Sequence, residues 1–570
     1  MLLILLIWLY TLIHAYLWGQ GILLFFVKEI SQEKGICTTF ITAILTGLAA
    51  IATIGAIWSA FFPINPNFQF VLIAGSILSF SFFGKGFFLN QINNIRRLIK
   101  GTHPLVTCLG GLIFLLVWIK ASCLSENNDE GGYYLPLIKW IEQFPLVPGI
   151  ANIEDRMGYN SGFHLLSAVF GFSFLNGKGF YDLGSLYFLL QQLLSLRFLQ
   201  SLLRSEELAF TNKWIYLTGA TSALYINYIT LSSPDTDLPA NALSWILLWL
   251  FIEKIIQKRT QESGYFFYFL TIQAFFLITM RFSGVWLILL PVWLLWRNRS
   301  DEANKKRWLI FISIGALILL PWCYRNYKIS GYLVYPLYQF DLFDPDWKVP
   351  IAKAKENYFY VRDYARRVAS VRTYNPNRTD DIIQWLPQTF AKKTLIGKFF
   401  IAFVIGLSIA GIASFLFRWR WWRSQPDYLF LAVFFIINLL WWLYAFPDIR
   451  LAQAQLSIAV VAIPAYFIVK MSFIRKYHYS KIIGMLILLI WCAHAVAIVR
   501  SPAIATCGFI KPAPPFLSDA TPSTLQGRPI QRTGRFSCGC ATPPCLNPKT
   551  DPGITFRGTK VSDGFRVIKE

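Results

Sequence analysis

Asp129 and Glu130 stand side by side in the stretch ENNDEGGYYLPLIKWIEQFPLVPGIANIEDRMGYNSGFHLL, a few residues after an apolar run and just before Gly131 and Gly132. A carboxylate pair in that setting can accept a proton from an incoming hydroxyl. The same two residues also fit ordinary solvated loop charges or a helix N-cap. A second acidic group, SSPDTDLPANA, sets Asp235 and Asp237 two residues apart in a tight turn between two apolar runs. That spacing suits cation coordination or hydrogen bonds to sugar hydroxyls, and equally a plain turn whose Asp caps the next helix. Arg281 interrupts 33 mostly apolar residues, and Arg450 ends another apolar run beside Asp448. A guanidinium at membrane depth needs a partner. A lipid phosphate bound through two N–H groups is one choice and a structural ion pair is the other. Arg325 and Lys328, in PWCYRNYKISGYLVYP, are further cations placed to meet a phosphate.

The elements that must hold these residues are apolar. Of the 570 residues 55% are hydrophobic, and the mean hydropathy is +0.48. Runs long enough to cross about 30 Å of hydrocarbon recur along the chain. They fall near 1–27, 38–61, 67–90, 103–120, 180–203, 212–231, 238–257, 264–279, 283–296, 308–323, 397–417, 428–446, 451–469 and 482–499. The pattern predicts an all-α polytopic membrane protein with about fourteen crossings. The net charge of +23 does not point to nucleic acid, because no soluble basic domain or recognition motif accompanies it. Instead, 22 Lys and Arg residues lie in alternate connections: Lys28 and Lys34; Arg96, Arg97 and Lys100; Arg204 and Lys213; Lys254, Lys258 and Arg259; and three later clusters around 297–307, 418–423 and 470–481. The four short connections between them hold only Arg281 and Arg450. Basic residues favour the cytoplasmic side, so the N-terminus and the C-terminal tail are expected outside, in a plasma (bacterial inner) membrane.

Residues 161–175 are apolar but short; as a crossing they would invert every later loop, so they are read as re-entrant or interfacial. Residues 1–27 have neither a basic start nor a small-residue cleavage site, which favours a retained helix over a signal peptide. The expected divisions are N-terminal helices over 1–102, a core over 103–323 with an outer loop at 121–160, a second outer loop at 324–396, further helices over 397–499, and an exported tail over 500–570. In the first loop, Tyr134, Leu137, Ile138 and Ile141 recur at helical spacing with Lys139, Glu142 and Gln143 opposite, which predicts a short interfacial helix.

The tail is rich in Pro, Gly and Thr and reads as extended chain with few regular elements. Its Cys538, Cys540 and Cys545 form C-x-C-x4-C, and no His in the tail completes a four-ligand zinc set. Export favours a disulfide among the three, with Cys507 available for the remaining thiol. His164 reads as a core histidine, and His14, His103, His478 and His494 are too scattered for a metal site. No phosphate-binding glycine loop, dinucleotide fingerprint, G-x-S-x-G or H-E-x-x-H occurs.

An acidic pair opening the first large outer loop, interfacial helices after it, many further spans and a soluble C-terminal part together resemble the GT-C class of glycosyltransferases. The bacterial aminoarabinose transferases and protein O-mannosyltransferases are the nearest in pattern, over about half the chain. The resemblance implies that Asp129, with Glu130 beside it, is the catalytic base or its helper, and that Asp235 matches a later acidic position of the core. It also implies a polyprenyl-phosphate sugar as donor, because nucleotide sugars do not reach the outer face. The pattern departs in having three helices before the core, no full D-x-D in the first loop, and RMGYNSGFHLL where a His-Pro-Pro or Lys-Pro-Pro element is usual. The expected function is therefore transfer of a lipid-linked sugar, with Arg281, Arg450, Arg325, Lys328, Asp235 and Asp237 binding substrate. No cofactor is called for, though a divalent metal stays an option. Expected partners are the lipid-linked sugar, membrane lipid and a glycan, lipid or protein acceptor, with no nucleic acid. The rivals are an O-antigen polymerase or ligase, which would use Arg362, Arg366, Arg367 and Arg372 of the second loop, and a flippase or transporter. The latter needs charged or broken helices in paired halves, and the spans are nearly uncharged.

Overall fold

A computed structural model of the chain describes all residues except 28–35, 84–90, 92, 94–95, 97–99, 178, 205–208, 225–227, 257–263, 300–302, 367–380, 476–478, 514–517, 535–536, 549 and 569–570. Lys28, Lys34, Arg97, Lys258, Arg259, Arg367, Arg372 and His478 fall outside the described residues. The apolar runs become helices: α1 (Leu2–Phe26), α2 (Ile36–Trp58), α3 (Pro66–Phe80), α4 (Pro104–Ala121), α5 (Leu135–Gln143), α6 (Gly162–Phe170), α7 (Leu183–Arg204), α8 (Phe210–Ser222), α9 (Asp237–Ile256) and α10 (Gly264–Met280). After a 3-10 segment at Phe282–Ile288 come α11 (Leu289–Arg297), α12 (Ala303–Ser330), α13 (Ile351–Arg366), α14 (Ile382–Lys392), α15 (Leu395–Phe417), α16 (Pro426–Ala445), α17 (Gln453–Arg475) and α18 (Ser480–Arg500). Ten of these are long and apolar enough to cross a membrane, so the chain is a helical, polytopic membrane protein.

Helix ends gather on one face of the bundle, called here the loop face. Leu2 N donates to Phe509 O (3.0 Å), Leu146 N to Ser59 O (2.8 Å), Ala513 N to Ser122 O (2.9 Å) and Gly149 N to Lys328 O (2.8 Å). These four bonds tie the start of α1 and the ends of α2, α4 and α12 to loops and tail on the same side. Helices starting there are capped by short polar side chains: Asn65 accepts from Asn67 N (3.0 Å), Ser161 from Phe163 N (3.2 Å) and Asp381 from Ile383 N (2.9 Å). α6 is nine residues, about 13 Å long by helical rise. Beyond it Phe180 N returns to Gly171 O (2.8 Å), and Asp182 opens α7.

Most apolar contacts form one core through α1–α12, α17 and α18, joined by Ala354 of α13, Phe434 of α16 and tail residues such as Leu546 and Phe565, and a smaller cluster joins Ile401 and Val404 of α15 to Leu439 and Trp442 of α16. α1 and α2 cross closely enough that a Cβ on Gly19 would stand 1.7 Å from Ala43 O, and one on Gly47 1.8 Å from Ala15 O. Small residues at helix crossings let backbones approach and gain dispersion contact that lipid cannot replace. Several polar groups inside the spans are paired: His14 meets Ser76 at 2.6 Å, and Arg197 on α7 pairs with Glu253 on α9 and with Thr38 on α2.

Three expectations need correction. The tail is not merely extended chain. A hairpin joins β1 (Thr521–Leu525) to β2 (Arg528–Arg532) through Gln526 and Gly527, both left-handed as a two-residue hairpin turn requires. β3 (Cys545–Leu546) runs parallel to β2, and β4 (Ile554–Phe556) pairs with β5 (Phe565–Val567). Second, α5 does not lie open on a surface. Lys139 and Glu142 are buried, Lys139 Nζ reaches Glu142 Oε2 at 2.9 Å, and Tyr181 Oη donates to Glu142 Oε1 at 2.9 Å. Third, Cys507 pairs with Cys123 rather than within the tail, while Cys538 pairs with Cys545 and Cys540 stands outside both disulfides.

Candidate functional site

α4 ends at Ala121, and the loop that follows turns at Asn127, whose Oδ1 accepts from Asp129 N (3.1 Å). Asn127 Nδ2 also donates to Ser233 Oγ (3.3 Å), joining this loop to the one carrying Asp235. Leu135 N then bonds Glu130 O, a wide π turn over Glu130–Tyr134 that leads into α5. The two neighbouring carboxylates end in different surroundings. Asp129 keeps 48% of its side chain exposed, whereas Glu130 is 2% exposed. Glu130 lines a small cavity of about 30 Å³ with Ser125, Tyr181, Asp182, Ser232 and the tail residue Pro512. Such a polar space has room for water.

Arg156 faces Asp129. Its Nη1 lies 3.0 Å from Asp129 Oδ1, its Nε 2.8 Å from Glu154 Oε1, and its guanidinium covers the Tyr133 ring at 4.6 Å. Burial alone would push the Glu154 carboxyl up, but the Arg156 charge and hydrogen bond outweigh it and hold the group down at about 2. Glu154 and Arg156 were not singled out from sequence. The signal available was the charged triple Glu154-Asp155-Arg156 inside a loop otherwise made of apolar and small residues.

The second acidic turn closes from the other side. Tyr134 Oη donates to Asp235 Oδ1 (3.3 Å), and Asp237 N donates to the same oxygen (2.8 Å). Asp235 is 4% exposed, and burial, reinforced by the nearby Asp237 charge, pushes its carboxyl up to about 7. Asp237 accepts Arg281 Nη1 on Oδ1 at 3.0 Å and has Arg450 Nη1 3.9 Å from Oδ2. Arg450 Nε also lies 3.3 Å from Asp448 Oδ1, and Arg450 O accepts from Asn241 Nδ2 (2.7 Å) and Arg281 Nη1 (3.2 Å). Burial opposes ionisation of Asp448, yet the Arg450 charge wins and lowers its pKa. Tyr133 and Tyr134, ring centroids 4.3 Å apart, bridge the two halves. The result is a continuous polar arrangement from Glu154 through Arg156 and Asp129, across two tyrosines, to Asp235, Asp237, Arg281 and Arg450.

Two sequence candidates sit elsewhere. Arg325 is buried in α12, where Nε donates to Asn160 Oδ1 (3.0 Å) and Nη1 to Ser59 Oγ. It braces the left-handed turn at Asn160 from behind. Lys328 rests its ammonium over Trp347 (5.0 Å) and Tyr324 (5.9 Å). His164 packs its ring 5.2 Å from that of Tyr134. Among the described residues no three or more His, Cys, Asp or Glu side chains gather as a metal site. Arg281 also lines a second small cavity with Asn241, Ser244, Ser283 and Gln455.

The family described as "Domain of unknown function (DUF8201)" matches residues 1–455. The chain belongs to this family. No curated protein and no solved structure matches the chain. The DUF8201 region contains every residue of the polar arrangement from Asp129 to Arg450. The tail lies beyond it.

Proposed function

We propose that this protein is a membrane glycosyltransferase of the GT-C type that moves a sugar from a polyprenyl-phosphate donor to an acceptor on the outer face. The observation that carries the reading is the convergence of two separate acidic turns and two arginines at the helix ends of one face. Asp129, with nearly half its side chain open, is placed to meet an acceptor hydroxyl. As the acceptor oxygen bonds to the anomeric carbon, its proton passes to the Asp129 carboxylate. The bond from that carbon to the phosphate oxygen breaks, and the phosphate leaves with the electron pair. Arg281 and Arg450 sit where that growing charge can be met. Asp235, held beside Tyr134, offers hydrogen bonds to sugar hydroxyls.

The reading includes about fourteen crossings, with the loop face outside a bacterial inner membrane. The alternation of basic clusters supports it, as do the helix ends that gather beside the tail. Of the four arginines that the O-antigen polymerase alternative would use, Arg362 and Arg366 are among the described residues. Arg366 stacks on Trp385 (4.0 Å) and donates to Tyr444 O (2.6 Å), and Arg362 packs on Phe359 (4.5 Å). Those arginines are engaged within the protein.

The test is turnover of polyprenyl-phosphate sugar by the purified protein in lipid, read together with donor binding. Asp129→Asn should lower turnover by roughly 10²–10⁴-fold and leave donor binding nearly unchanged. Arg281→Ala should weaken donor binding as well as turnover. Glu130→Gln, which alters the cavity side, should cost much less. Full turnover in both Asp129→Asn and Glu130→Gln would remove the transferase reading.

A further inference from the structure

We propose that Asn547, in the C-terminal module outside the family match, is a positioning residue for Asp129, so that the tail is part of the site. The inference rests on the transferase reading. Its basis is an unbroken line of contacts: Asn547 Nδ2 donates to Glu154 Oε2 (3.1 Å), Glu154 Oε1 accepts Arg156 Nε (2.8 Å), and Arg156 Nη1 meets Asp129 Oδ1 (3.0 Å). Glu154 and Asn547 are both buried, at 2% and 7% exposure, so water cannot replace the amide. A guanidinium is a rigid fork, so the position of the Glu154 carboxylate on one edge sets where the other edge presents itself to Asp129.

The module is built to hold Asn547 there. The Cys538–Cys545 disulfide closes the strand that leads into it. Gly539 N donates to Gly131 O (2.9 Å), one residue beyond Glu130, and Thr550 Oγ1 donates to Ile153 O (3.0 Å), one residue before Glu154. Asn547 N donates in turn to Thr550 Oγ1 (3.1 Å). The tail therefore grips the first loop beside each member of the Asp129–Arg156 pair. The charged and titratable groups facing Glu154 are Arg156 and Asp155 from its own segment, and Asn547 brings a neutral donor from the tail. A carboxylate at 547 would repel Glu154, and a methyl would leave one of its oxygens buried without that donor.

The experiment compares kcat, KM and the pH–rate profile of the full-length protein with those of Asn547→Ala, Asn547→Asp, Glu154→Gln and the pair Asn547→Ala/Glu154→Gln. Lys560→Ala serves as a tail control away from the contacts. Asn547→Ala should lower kcat about 10- to 100-fold with little change in donor KM, the scale of a misplaced reacting group. Asn547→Asp should cost more and move the acid limb to higher pH, because Glu154 then protonates more readily and releases Arg156. The double variant should match the worse single one, since both cut the same line. Non-reducing peptide maps retaining Cys538–Cys545 establish that the module is folded in each variant. Unchanged kcat and pH profile in both Asn547 variants, or additive losses in the double variant, would overturn the proposal while Asp129→Asn stays impaired. An active Asp129→Asn would instead sink the transferase reading, and the proposal with it.

Discussion

Asp235 accepts two hydrogen bonds, yet its burial makes ionisation costly enough to place its carboxyl at about 7. In the unfolded chain the same group titrates near 3.9. Between those values the folded state binds the extra proton, so this group's contribution to stability falls as pH rises from about 4 through 7 and then levels off. Asp235→Asn keeps the acceptor and removes the charge. Its thermal midpoint should match wild type near pH 4 and exceed it by a growing margin up to pH 7.5, measured in detergent across that range; parallel curves would show that Asp235 is not the titrating group. Asp129, Asp235, Asp237 and Arg281 were legible in the sequence because a charge beside a long apolar run stands out. Glu154 and Arg156 were not, because their importance comes from a contact with Asp129 across 27 residues, which no local spacing reports.

At the scale of elements, hydrophobic length was the readable signal, and each accepted run has a helix in it. What it could not supply was the surroundings of a short helix. The polar side of α5 looks solvent-facing by periodicity, but Tyr181 and the chain around Gly177 cover it, and Lys139 Nζ bonds Gly177 O at 3.2 Å. α14, which was not singled out from sequence, is amphipathic: Trp385 and Thr389 are buried while Ile383 is 79% exposed, ahead of the exposed Leu395 and Ile396 at the start of α15. That continuity fits an interfacial helix leading into a span. The α1–α2 crossing gives the sharpest element-scale prediction. Gly47→Val forces side-chain atoms against the Ala15 backbone, so the helices must part. The loss should be about 1–3 kcal/mol, the usual range for overpacking, seen as a lower unfolding midpoint. Gly406→Val on α15, where a Cβ meets nothing within 4 Å, should leave the midpoint unchanged.

For the whole molecule, the tail is the part that sequence described least well. Its strands are two to five residues long, too short for alternation to register, and its register depends on two disulfides and on the loop beneath it. The Cys123–Cys507 link joins residues 384 apart and pins the tail beside the end of α4. Non-reducing digestion of protein purified without reductant should yield the 123–507 and 538–545 linked peptides, and Cys123→Ser should lower stability by about 2–4 kcal/mol. Cysteines introduced at Thr236, Asp344 and Lys560 should all react with an impermeant reagent from outside intact cells. Protection of all three would mean that 161–175 crosses the membrane after all and inverts every later loop.

The link between Cys123 and Cys507 also imposes a schedule. A ribosome delivers the first loop early and the tail last, with more than ten helices made in between. Glu154 must therefore wait for Asn547, and Gly131 for Gly539, until synthesis has passed every helix of the bundle. The charge arrangement around Asp129 is completed only after the helices of the bundle have been made, so a nascent chain that has not reached Asn547 carries the acidic loop without the groups that set its geometry.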